Sequence, residues 1–263
     1  MSGQKIITLS TDFGSRDVYV GVMKGVIAAI APQATVIDLT HEIPPQDLVS
    51  GSFALQSACS YFPQGTVHVA VVDPGVGSQR RGVAVLFAGG YLVGADNGLF
   101  SGVLQRQQAI AAVELNNPDY WRTPHPSQTF HGRDIFAAVG AHLANGVKLN
   151  QLGEAIALES LVTLPLLALE KDRQQITGVI QYCDRFGNLV TNIPGHDVFS
   201  QAQVKFQERL IRLVTTYSGS ESQALVALVG SHGFLEIAVN CGSAREVLQA
   251  KIGDRVVVIN EEN

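Results

Sequence analysis

The sequence predicts an α/β domain with a mainly parallel sheet over residues 1–168 and a smaller all-β, barrel-like domain over residues 175–263. In the first part, apolar β-type runs alternate with longer helical stretches, the pattern of right-handed βαβ units. In the second part, short β-rich runs follow one another with turn residues between them, which is typical of a barrel or a sandwich. The pattern changes from alternating strands and helices to short β-rich runs at Leu164-Pro165, so a linker is predicted at about 165–175.

Three strands open the first domain, at 6–10, 35–39 and 66–72, and they alternate with helices at 18–30 and 48–61. The strands are short and apolar, and turn residues follow each of them. Pro32 ends the first helix because proline cannot continue a helical hydrogen-bond ladder. This order of elements predicts parallel pairing of the three strands.

A hairpin follows the third strand. Its strands are predicted at 83–87 and 91–95, around a Gly-Gly pair that suits a tight turn. A helix, a strand near Ala112 and a polar loop come next. Asp134 is then expected to begin a helix that ends at Asn145. These elements complete the predicted α/β domain.

The second domain contains six β-rich runs, which are separated by turn residues. They are predicted at 176–182, 189–193, 210–216, 224–229, 234–239 and 255–259. Runs of this length and spacing are typical of a small barrel or sandwich.

Composition excludes several classes of protein. The chain has 263 residues, of which 46% are hydrophobic and 16% charged, as in a protein with an extensive core or with subunit contacts. The net charge is −5 and no basic run exceeds two residues, which argues against nucleic acid as a partner. No apolar run reaches the length of about 18 residues that a membrane span needs. The N-terminal segment does not have the pattern of a signal peptide.

Cysteine usage favours a reducing compartment. The three cysteines, Cys59, Cys183 and Cys241, are scattered and odd in number. Their spacing matches neither a disulfide framework nor a metal site. A cytoplasmic location is therefore expected.

A carboxylate and a guanidinium flank the end of the third strand. Asp73 directly follows the apolar run that ends at Val72, a Pro-Gly turn comes next, and Arg80 lies where the chain can fold back. Ligands of open α/β sheets bind beyond the carboxyl ends of the strands. The pair is therefore either part of a binding site or a loop salt bridge.

Asp12 and His131 are two further candidates. Asp12 follows the first strand, where a carboxylate can accept hydrogen bonds from ribose hydroxyls, but Asp12 or Asp17 could instead cap the next helix. The Asp-Phe-Gly triplet at Asp12 lacks the other kinase motifs, so a kinase is excluded. His131 is either a catalytic base or a cap-region histidine that packs on Phe130.

The second domain offers two polar stretches, 184–188 and 230–233. Each is either part of a binding site or a turn between strands. The chain has no nucleophile elbow, P-loop, dinucleotide-binding glycine motif or cluster of metal ligands.

Taken together, these stretches resemble a known family. They are TDFG, HEIPPQD, VDPGVGSQRR, ADNG, FHGRD, DRFGNLVTNI and GSHGFLEIAVNCGSA, and they occur in order from about residue 6 to residue 259. This set resembles the S-adenosyl-L-methionine (SAM) hydroxide adenosyltransferase family, which is related to the fluorinases and chlorinases. The resemblance implies an α/β domain, a barrel-like domain and a homotrimer. It also implies SAM sites between the N-terminal domain of one subunit and the C-terminal domain of its neighbour.

The resemblance also implies roles for individual residues. Asp73, Arg80 and His131 match the family's water-handling trio, and Asp12 matches the carboxylate that holds the ribose hydroxyls. The other substrate-binding residues that it implies are Asp184, Asn188 and Ser231 for the methionine ends, Asn240 and Cys241 for adenine through their backbone, and Pro45 and Tyr217 for the walls of the ribose and adenine pocket. His232 stands where the fluorinase has an arginine.

The same comparison favours hydrolysis over halogenation. The halogenating relatives carry Tyr at the position of Asp73 and lack the histidine of the trio, and a carboxylate would repel a halide. The implied reaction is hydrolysis of SAM to adenosine and L-methionine by water or hydroxide at ribose C5′, with SAM as a substrate and without a metal or cofactor. A SAM-dependent halogenase and a non-catalytic SAM or adenosine sensor are the alternatives.

Overall fold

The computed structural model describes residues 5–165, 169–172 and 174–260, and the chain divides into two compact units, residues 1–164 and 165–263. The predicted fold class is confirmed in both, with an α/β sheet in the first and a closed barrel in the second. Residues 166–168 and 173 of the predicted linker lie outside the described residues. The predicted domain bounds therefore stay a prediction.

The first unit is built on a six-stranded sheet in the order β2-β1-β3-β5-β4-β6. The strands are β1 (Ile6–Thr11), β2 (Thr35–Thr40), β3 (Thr66–Val71), β4 (Gly82–Phe87), β5 (Gly90–Ala95) and β6 (Ala109–Glu114). Strands β2, β1, β3 and β5 are parallel, and β4 is antiparallel to both β5 and β6. The predicted hairpin of β4 and β5 is confirmed.

Helices cover both faces of this sheet. They are α1 (Tyr19–Ile30), α2 (Leu48–Cys59), α3 (Ser101–Arg106) and α4 (Ala137–Ala144). The chain passes outward from β1 to β2 and returns across β1 to β3, so right-handed crossovers place α1 and α2 on opposite faces. Helix α2 begins at the N-cap Asp47, whose Oδ1 accepts a hydrogen bond from the amide of Ser50 at 3.0 Å.

Strand β3 shows how the two faces are filled. Val69 and Val71 pack with Met23 of α1 and with α4, whereas Ala70 packs on the opposite face with Leu55 of α2. Alternate side chains of a strand point to opposite faces, so a run that is apolar throughout suits a central strand covered on both sides. The carboxyl ends of β1 and β3 then lie where the strand order reverses direction.

The structure differs from the prediction at the last helix of this unit. Asp134 does not begin the helix, because a π-helical turn, Gly132–Phe136, precedes α4, and His131 is its N-cap. Such widened turns are frequent at functional sites. Gly140 of α4 allows close packing on β3, since a Cβ there would lie 2.5 Å from a methyl group of Val69.

The second unit is a seven-stranded barrel. Its closed ring has the order β14-β10-β11-β12-β13-β9-β8, and β14 pairs with β8. The ring strands are β8 (Gln175–Cys183), β9 (Leu189–Pro194), β10 (Gln203–Phe206), β11 (Arg209–Leu213), β12 (Leu225–Val229), β13 (Phe234–Val239) and β14 (Arg255–Ile259), with the short β7 (Glu170–Lys171) paired on β8. Closure removes the free edges of the sheet.

The barrel interior is apolar, and residues such as Ile180, Val204, Phe206, Ile237 and Val256 fill it. All six predicted strands of this unit are present. The prediction from sequence did not include the four-residue strand β10 or the five-residue helix α5 (Ala244–Leu248), whose N-cap is Ser243.

Candidate active site

Two aspartates follow neighbouring strands at the carboxyl edge of the sheet in the first unit. Thr11 at the end of β1 is in register with Val71 at the end of β3. Asp12 directly follows Thr11, and Asp73 follows β3 after one further residue, Val72. Both strands are central, so the two aspartates flank the position where ligands of open α/β sheets bind.

Arg80 connects Asp73 to His131. Its Nε donates to Oδ1 of Asp73 at 3.0 Å, its Nη2 donates to Oδ2 of the same carboxylate, and Nη2 also lies 2.7 Å from Nδ1 of His131. The side chains of Asp73 and Arg80 are only 5% and 12% exposed. The loop salt bridge that the sequence left as an alternative is therefore present, but it belongs to a three-residue cluster, the trio Asp73, Arg80 and His131.

The contact with Arg80 determines the tautomer of His131. A guanidinium has only donors, so Nδ1 of His131 must be the acceptor and the proton of the neutral ring is on Nε2. Burial lowers the pKa of His131 from 6.5, and the charge of Arg80 lowers it further, while Asp73 and Asp134 oppose the shift. The imidazole is therefore neutral at pH 7.

Packing supports this arrangement from one side. The Arg80 guanidinium carbon lies 5.4 Å from the centre of the Phe136 ring, within the range of a cation–π contact. His131 packs edge-on against the same ring at 6.5 Å. Phe130 instead packs with Phe13 and Tyr19, at 5.6 and 5.2 Å between ring centres. The predicted alternative of a histidine packed on Phe130 is not what the contacts show.

Gly77 brings the loop after Asp73 against the loop before His131. Its φ is +77°, a conformation that favours glycine, and a Cβ there would lie 2.4 Å from the carbonyl oxygen of Gln128. A side chain at this position would push the two loops apart. Gly77 thus allows the loop that carries Arg80 to approach the loop that precedes His131.

Asp134 organises the segment that carries His131, and sequence reasoning missed this role. Its buried carboxylate accepts hydrogen bonds from Nε of Arg122 at 2.5 Å, from the amide of Ser127 at 2.9 Å and from Arg133 at 2.6 and 2.8 Å. Burial raises the pKa of Asp134, but the donors, Arg133 first, outweigh it and hold that pKa well below its usual range. The signal in the sequence was a charged pair directly before an apolar helix.

Asp12 is held by the loop that follows β2. Its Oδ2 accepts a hydrogen bond from the amide of Gln46 at 2.8 Å, and Pro45 beside it is exposed. The alternative that Asp12 or Asp17 caps the next helix is wrong, because the N-cap of α1 is Val18 and no side chain caps it. The half-buried carboxylate of Asp12 is thus part of the sheet edge and not of the helix.

In the second unit, Asp184 closes its own hairpin loop between β8 and β9. Its Oδ1 accepts from the amides of Phe186 and Asn188 at 2.8 and 2.9 Å, and its Oδ2 accepts from Nδ2 of Asn188 at 2.9 Å. The hairpin that the sequence allowed as an alternative is present. A carboxylate oxygen has more than one acceptor position, so these contacts leave Asp184 able to receive a ligand donor.

Tyr217 and His232 meet at Glu236, a residue that sequence reasoning missed. The Tyr217 hydroxyl donates to Oε1 of Glu236 at 2.6 Å, and Nε2 of His232 lies 3.1 Å from Oε2. Burial raises the pKa of Tyr217, and the Glu236 carboxylate raises it further. Ser231, next to His232, is exposed in the turn between β12 and β13. The signal for Glu236 was one acidic residue in the apolar run FLEIAV.

Asn240 and Cys241 follow β13. The backbone of Asn240 is already paired, since its amide donates to the carbonyl of Ala224 at 3.0 Å and its carbonyl accepts from the amide of Gln223 at 2.7 Å. Cys241 is exposed and has a φ of 58°. Its carbonyl accepts from Nε2 of Gln223 at 2.7 Å. The two residues thus form a fixed turn at the end of the strand.

Comparison with known proteins assigns the family. The model of the SAM hydroxide adenosyltransferase N-terminal domain matches residues 7–153, and that of the C-terminal domain matches residues 178–257. The chain belongs to the SAM hydroxide adenosyltransferase family. Both units of this family member are matched, so the predicted resemblance is confirmed along the chain.

Individual relatives of this family member agree over nearly their full length. The (R)-S-adenosyl-L-methionine hydrolase of Salinispora arenicola is 38% identical over 98% of this chain and 99% of its own. The enzyme of the same name from Thermus thermophilus is 42% identical over 92% and 95%. A fluorinase of an Actinoplanes species is 28% identical over 98% of each chain.

A solved structure supports the fold of the family member. An uncharacterized conserved protein from Thermotoga maritima superposes with a TM-score of 0.90 at 35% identity, over 97% of this chain and 100% of its own. In the described ranges of this chain, no group of three or more His, Cys, Asp or Glu residues could hold a metal ion. No described helix is long and apolar enough to cross a membrane.

Proposed function

We propose that this protein hydrolyses SAM to adenosine and L-methionine, by in-line attack of water or hydroxide at ribose C5′. Relatives at 38% and 42% identity over nearly the whole chain are named SAM hydrolases. The observation that carries the proposal is the trio: one guanidinium contacts both a carboxylate and a neutral imidazole at the carboxyl edge of the sheet. This combination suits a polar nucleophile that must lose a proton.

The reaction depends mainly on positioning of the attacking water, because SAM already carries a good leaving group. Methionine leaves easily from the SAM sulfonium, whereas water is a weak nucleophile whose pKa is about 15.7. Holding one water in line with the C5′–S bond removes much of the entropic barrier. As hydroxide bonds to C5′, the C5′–S electron pair moves to sulfur and leaves a neutral thioether.

The contacts favour Asp73 as the proton acceptor. Nδ1 of His131 already accepts from Arg80, so protonation at Nδ1 would place two donors against each other. Asp73 keeps acceptor positions although Arg80 contacts both of its oxygens. In the proposed step, Asp73 takes the proton of the water, and Arg80 stabilises the hydroxide-like charge. His131 keeps the guanidinium in place.

Binding of SAM is proposed to use the remaining residues that the resemblance implies. Asp12 would hold the ribose hydroxyls, and its half-buried place at the same sheet edge as Asp73 supports this role. Asp184, Asn188 and Ser231 would hold the methionine ends, and Pro45, Tyr217, Asn240 and Cys241 would contact the ribose and adenine. The pairing of the Asn240 backbone with Gln223 and Ala224 gives its contact with adenine the least support.

Product identification tests the proposed reaction against its alternatives. The purified protein is incubated with SAM, with and without chloride, and the nucleoside is identified by mass spectrometry. Adenosine is the expected product in both arms, and Asp73→Asn is the matched control. Formation of 5′-chloro-5′-deoxyadenosine would establish a halogenase, and bound but intact SAM would establish a sensor. Either outcome would overturn the proposal.

The location of the protein, its assembly and its independence of cofactors are proposed from the family resemblance. We propose a cytoplasmic homotrimer with SAM sites between subunits, in which a head-to-tail interface closes after three copies. The ligand-type residues in both units support this assembly. Light scattering that shows an active monomer would contradict it. No metal or cofactor is proposed, since SAM brings its own leaving group. Protein treated with EDTA should hydrolyse SAM at the untreated rate.

A further inference from the structure

Glu236 has an unusual position in the barrel. Its neighbours in β13, Leu235 and Ile237, belong to the apolar interior, so the side chain of Glu236 is on the outer face of the strand. It is nevertheless only 4% exposed. The turn at His232 and the connection at Tyr217 cover it.

The contacts of Glu236 define the protonation of its neighbours. The amide of Phe234 donates to Nδ1 of His232 at 3.1 Å, so the proton of the neutral imidazole is on Nε2. That Nε2–H then donates to Oε2 of Glu236 at 3.1 Å. Tyr217 donates to the other oxygen at 2.6 Å. Each carboxylate oxygen thus receives one neutral donor.

The backbone at Gly230 leaves room for this cluster. A Cβ at Gly230 would lie 2.5 Å from Nε2 of His232 and 3.0 Å from Oε2 of Glu236. A residue with a side chain would therefore displace the imidazole from the carboxylate. Gly230 is therefore required for the contact between His232 and Glu236.

Burial of Glu236 is costly for stability. Within the part of the chain that the structure describes, its side-chain contacts are with the Tyr217 hydroxyl and with Nε2 of His232. A carboxylate that is removed from water costs free energy, and no lysine or arginine among the described residues pairs with this one. An apolar residue would suit a covered position in the strand better, so a functional use of the carboxylate explains it more directly.

We propose that Glu236 is a positioning residue of the SAM site. It orients Tyr217 through its hydroxyl and fixes His232 as the Nε2–H tautomer, so that the pocket wall is already formed before SAM binds. This inference rests on the proposed function, in which Tyr217 lines the pocket. Glu236 itself needs no contact with the substrate.

Replacement of Glu236 by glutamine separates the two roles. An amide has one acceptor side and one donor side. The acceptor must face Nε2–H of His232, because Nδ1 of that ring is already occupied by the Phe234 amide. The NH₂ group of the glutamine then faces Tyr217, whose hydroxyl must turn its proton elsewhere.

Steady-state kinetics test the inference. We expect Glu236→Gln to raise KM for SAM about tenfold with kcat changed less than threefold, and Tyr217→Phe to do the same. The double variant should show no further increase, because both changes remove the same hydrogen bond, the one that the Tyr217 hydroxyl donates to residue 236. Glu208→Gln, whose side chain is 98% exposed, is the matched control. Dissociation constants for SAM from calorimetry should change in parallel with KM.

The possible failures are distinguishable. If the wild-type protein neither binds nor hydrolyses SAM, the proposed function is wrong and the inference falls with it. If the wild type is active and Tyr217→Phe keeps the wild-type KM, only the inference is wrong. Additive effects in the double variant would also overturn it. Tyr217→Phe decides the matter if Glu236→Gln does not fold.

Discussion

Arg80 donates to His131 through the same Nη2 atom with which it contacts Asp73, at 2.7 Å from the imidazole Nδ1. The trio is therefore intact only while Nδ1 of His131 is unprotonated, because an imidazolium would present a second donor to the guanidinium. Protonation of one side chain should thus disturb the other two.

This relationship predicts an acid limb in the activity. Burial and Arg80 lower the pKa of His131 from 6.5, so the midpoint at which the imidazole becomes charged lies below pH 6.5. We expect kcat to be highest near pH 8 and to fall in acid with a midpoint below 6.5. His131→Asn cannot titrate, so its kcat–pH profile should lose this limb. A limb that persists unchanged in that variant would assign it to another group.

Asp73→Asn should act on the chemical step. The amide keeps the shape of the side chain but cannot take a proton from water, so kcat should fall by about 10²–10⁴-fold. SAM affinity should change little, because the proposed contacts of the substrate lie elsewhere. Single-turnover rates and calorimetric binding measure the two effects separately. Hydrolysis at the wild-type rate would reduce the pair of Asp73 and Arg80 to a loop salt bridge.

Asp12→Ala should instead act on binding. If two ribose hydroxyls donate to this carboxylate, their loss costs at most about 1.5–3 kcal/mol each, and calorimetry should show a weaker complex. A smaller loss of kcat is expected if the ribose tilts C5′ out of line. Asp17→Ala, an exposed carboxylate in the same loop, should bind SAM normally. Unchanged binding in Asp12→Ala would remove Asp12 from the site.

Asp134→Asn should lower both stability and activity. The amide would turn a donor towards Arg122, Arg133 or the amide of Ser127, all of which are donors to the native carboxylate. Arg122 and Arg133 are 43% and 31% exposed and keep contact with water, so the loss should be that of unmatched hydrogen bonds at one buried group, about 1–3 kcal/mol by denaturant unfolding. In the folded fraction, kcat should fall with KM unchanged, because the segment that carries His131 loosens. Asp119→Asn, an exposed substitution, is the control.

Buried His68 predicts a loss of stability in acid. Burial lowers its pKa from 6.5 to about 4, and Nδ1 lies 2.8 Å from the Thr8 hydroxyl. Below pH 6.5 the unfolded chain binds a proton that the folded chain refuses, so stability falls until about pH 4. Between pH 7 and pH 5 this amounts to about 2 kcal/mol.

Denaturant unfolding at the two pH values measures the effect of His68. His68→Gln, which cannot titrate, should show a smaller difference between pH 7 and pH 5 than the wild type. His125→Gln replaces an exposed histidine of the same unit and should keep the full difference. Equal pH dependence in all three proteins would contradict the prediction.

Local patterns predicted most of the fold. Strands such as β3 are apolar throughout because both faces are covered, and proline and glycine mark their ends clearly. Strand β10, with the residues QVKF, was missed because it has only four residues and because its pairing with β14 joins residues that are far apart in the chain. Helix α5 has only five residues, too few for a helical period to show.

The candidate site was predictable only in part. The position of Asp73 after a strand pointed to the sheet edge, but its grouping with His131 depended on the family resemblance. Asp134 and Glu236 were missed because their importance lies in burial and in partners, and sequence spacing shows neither. The local signs were a lone charge in an apolar run for Glu236 and a charged pair before an apolar helix for Asp134.

The reversed direction of β4 has a consequence for how the trio is encoded. Because β4 runs antiparallel to β5, the chain turns back at the carboxyl edge after β3 without crossing the sheet. Asp73 and Arg80 are therefore encoded in one short stretch of the gene, whereas His131 is encoded about fifty residues downstream. Recombination between related genes would therefore transfer Asp73 and Arg80 together. Exchange of residues 73–80 with a halogenating relative would thus replace both partners of the ion pair while His131 is retained.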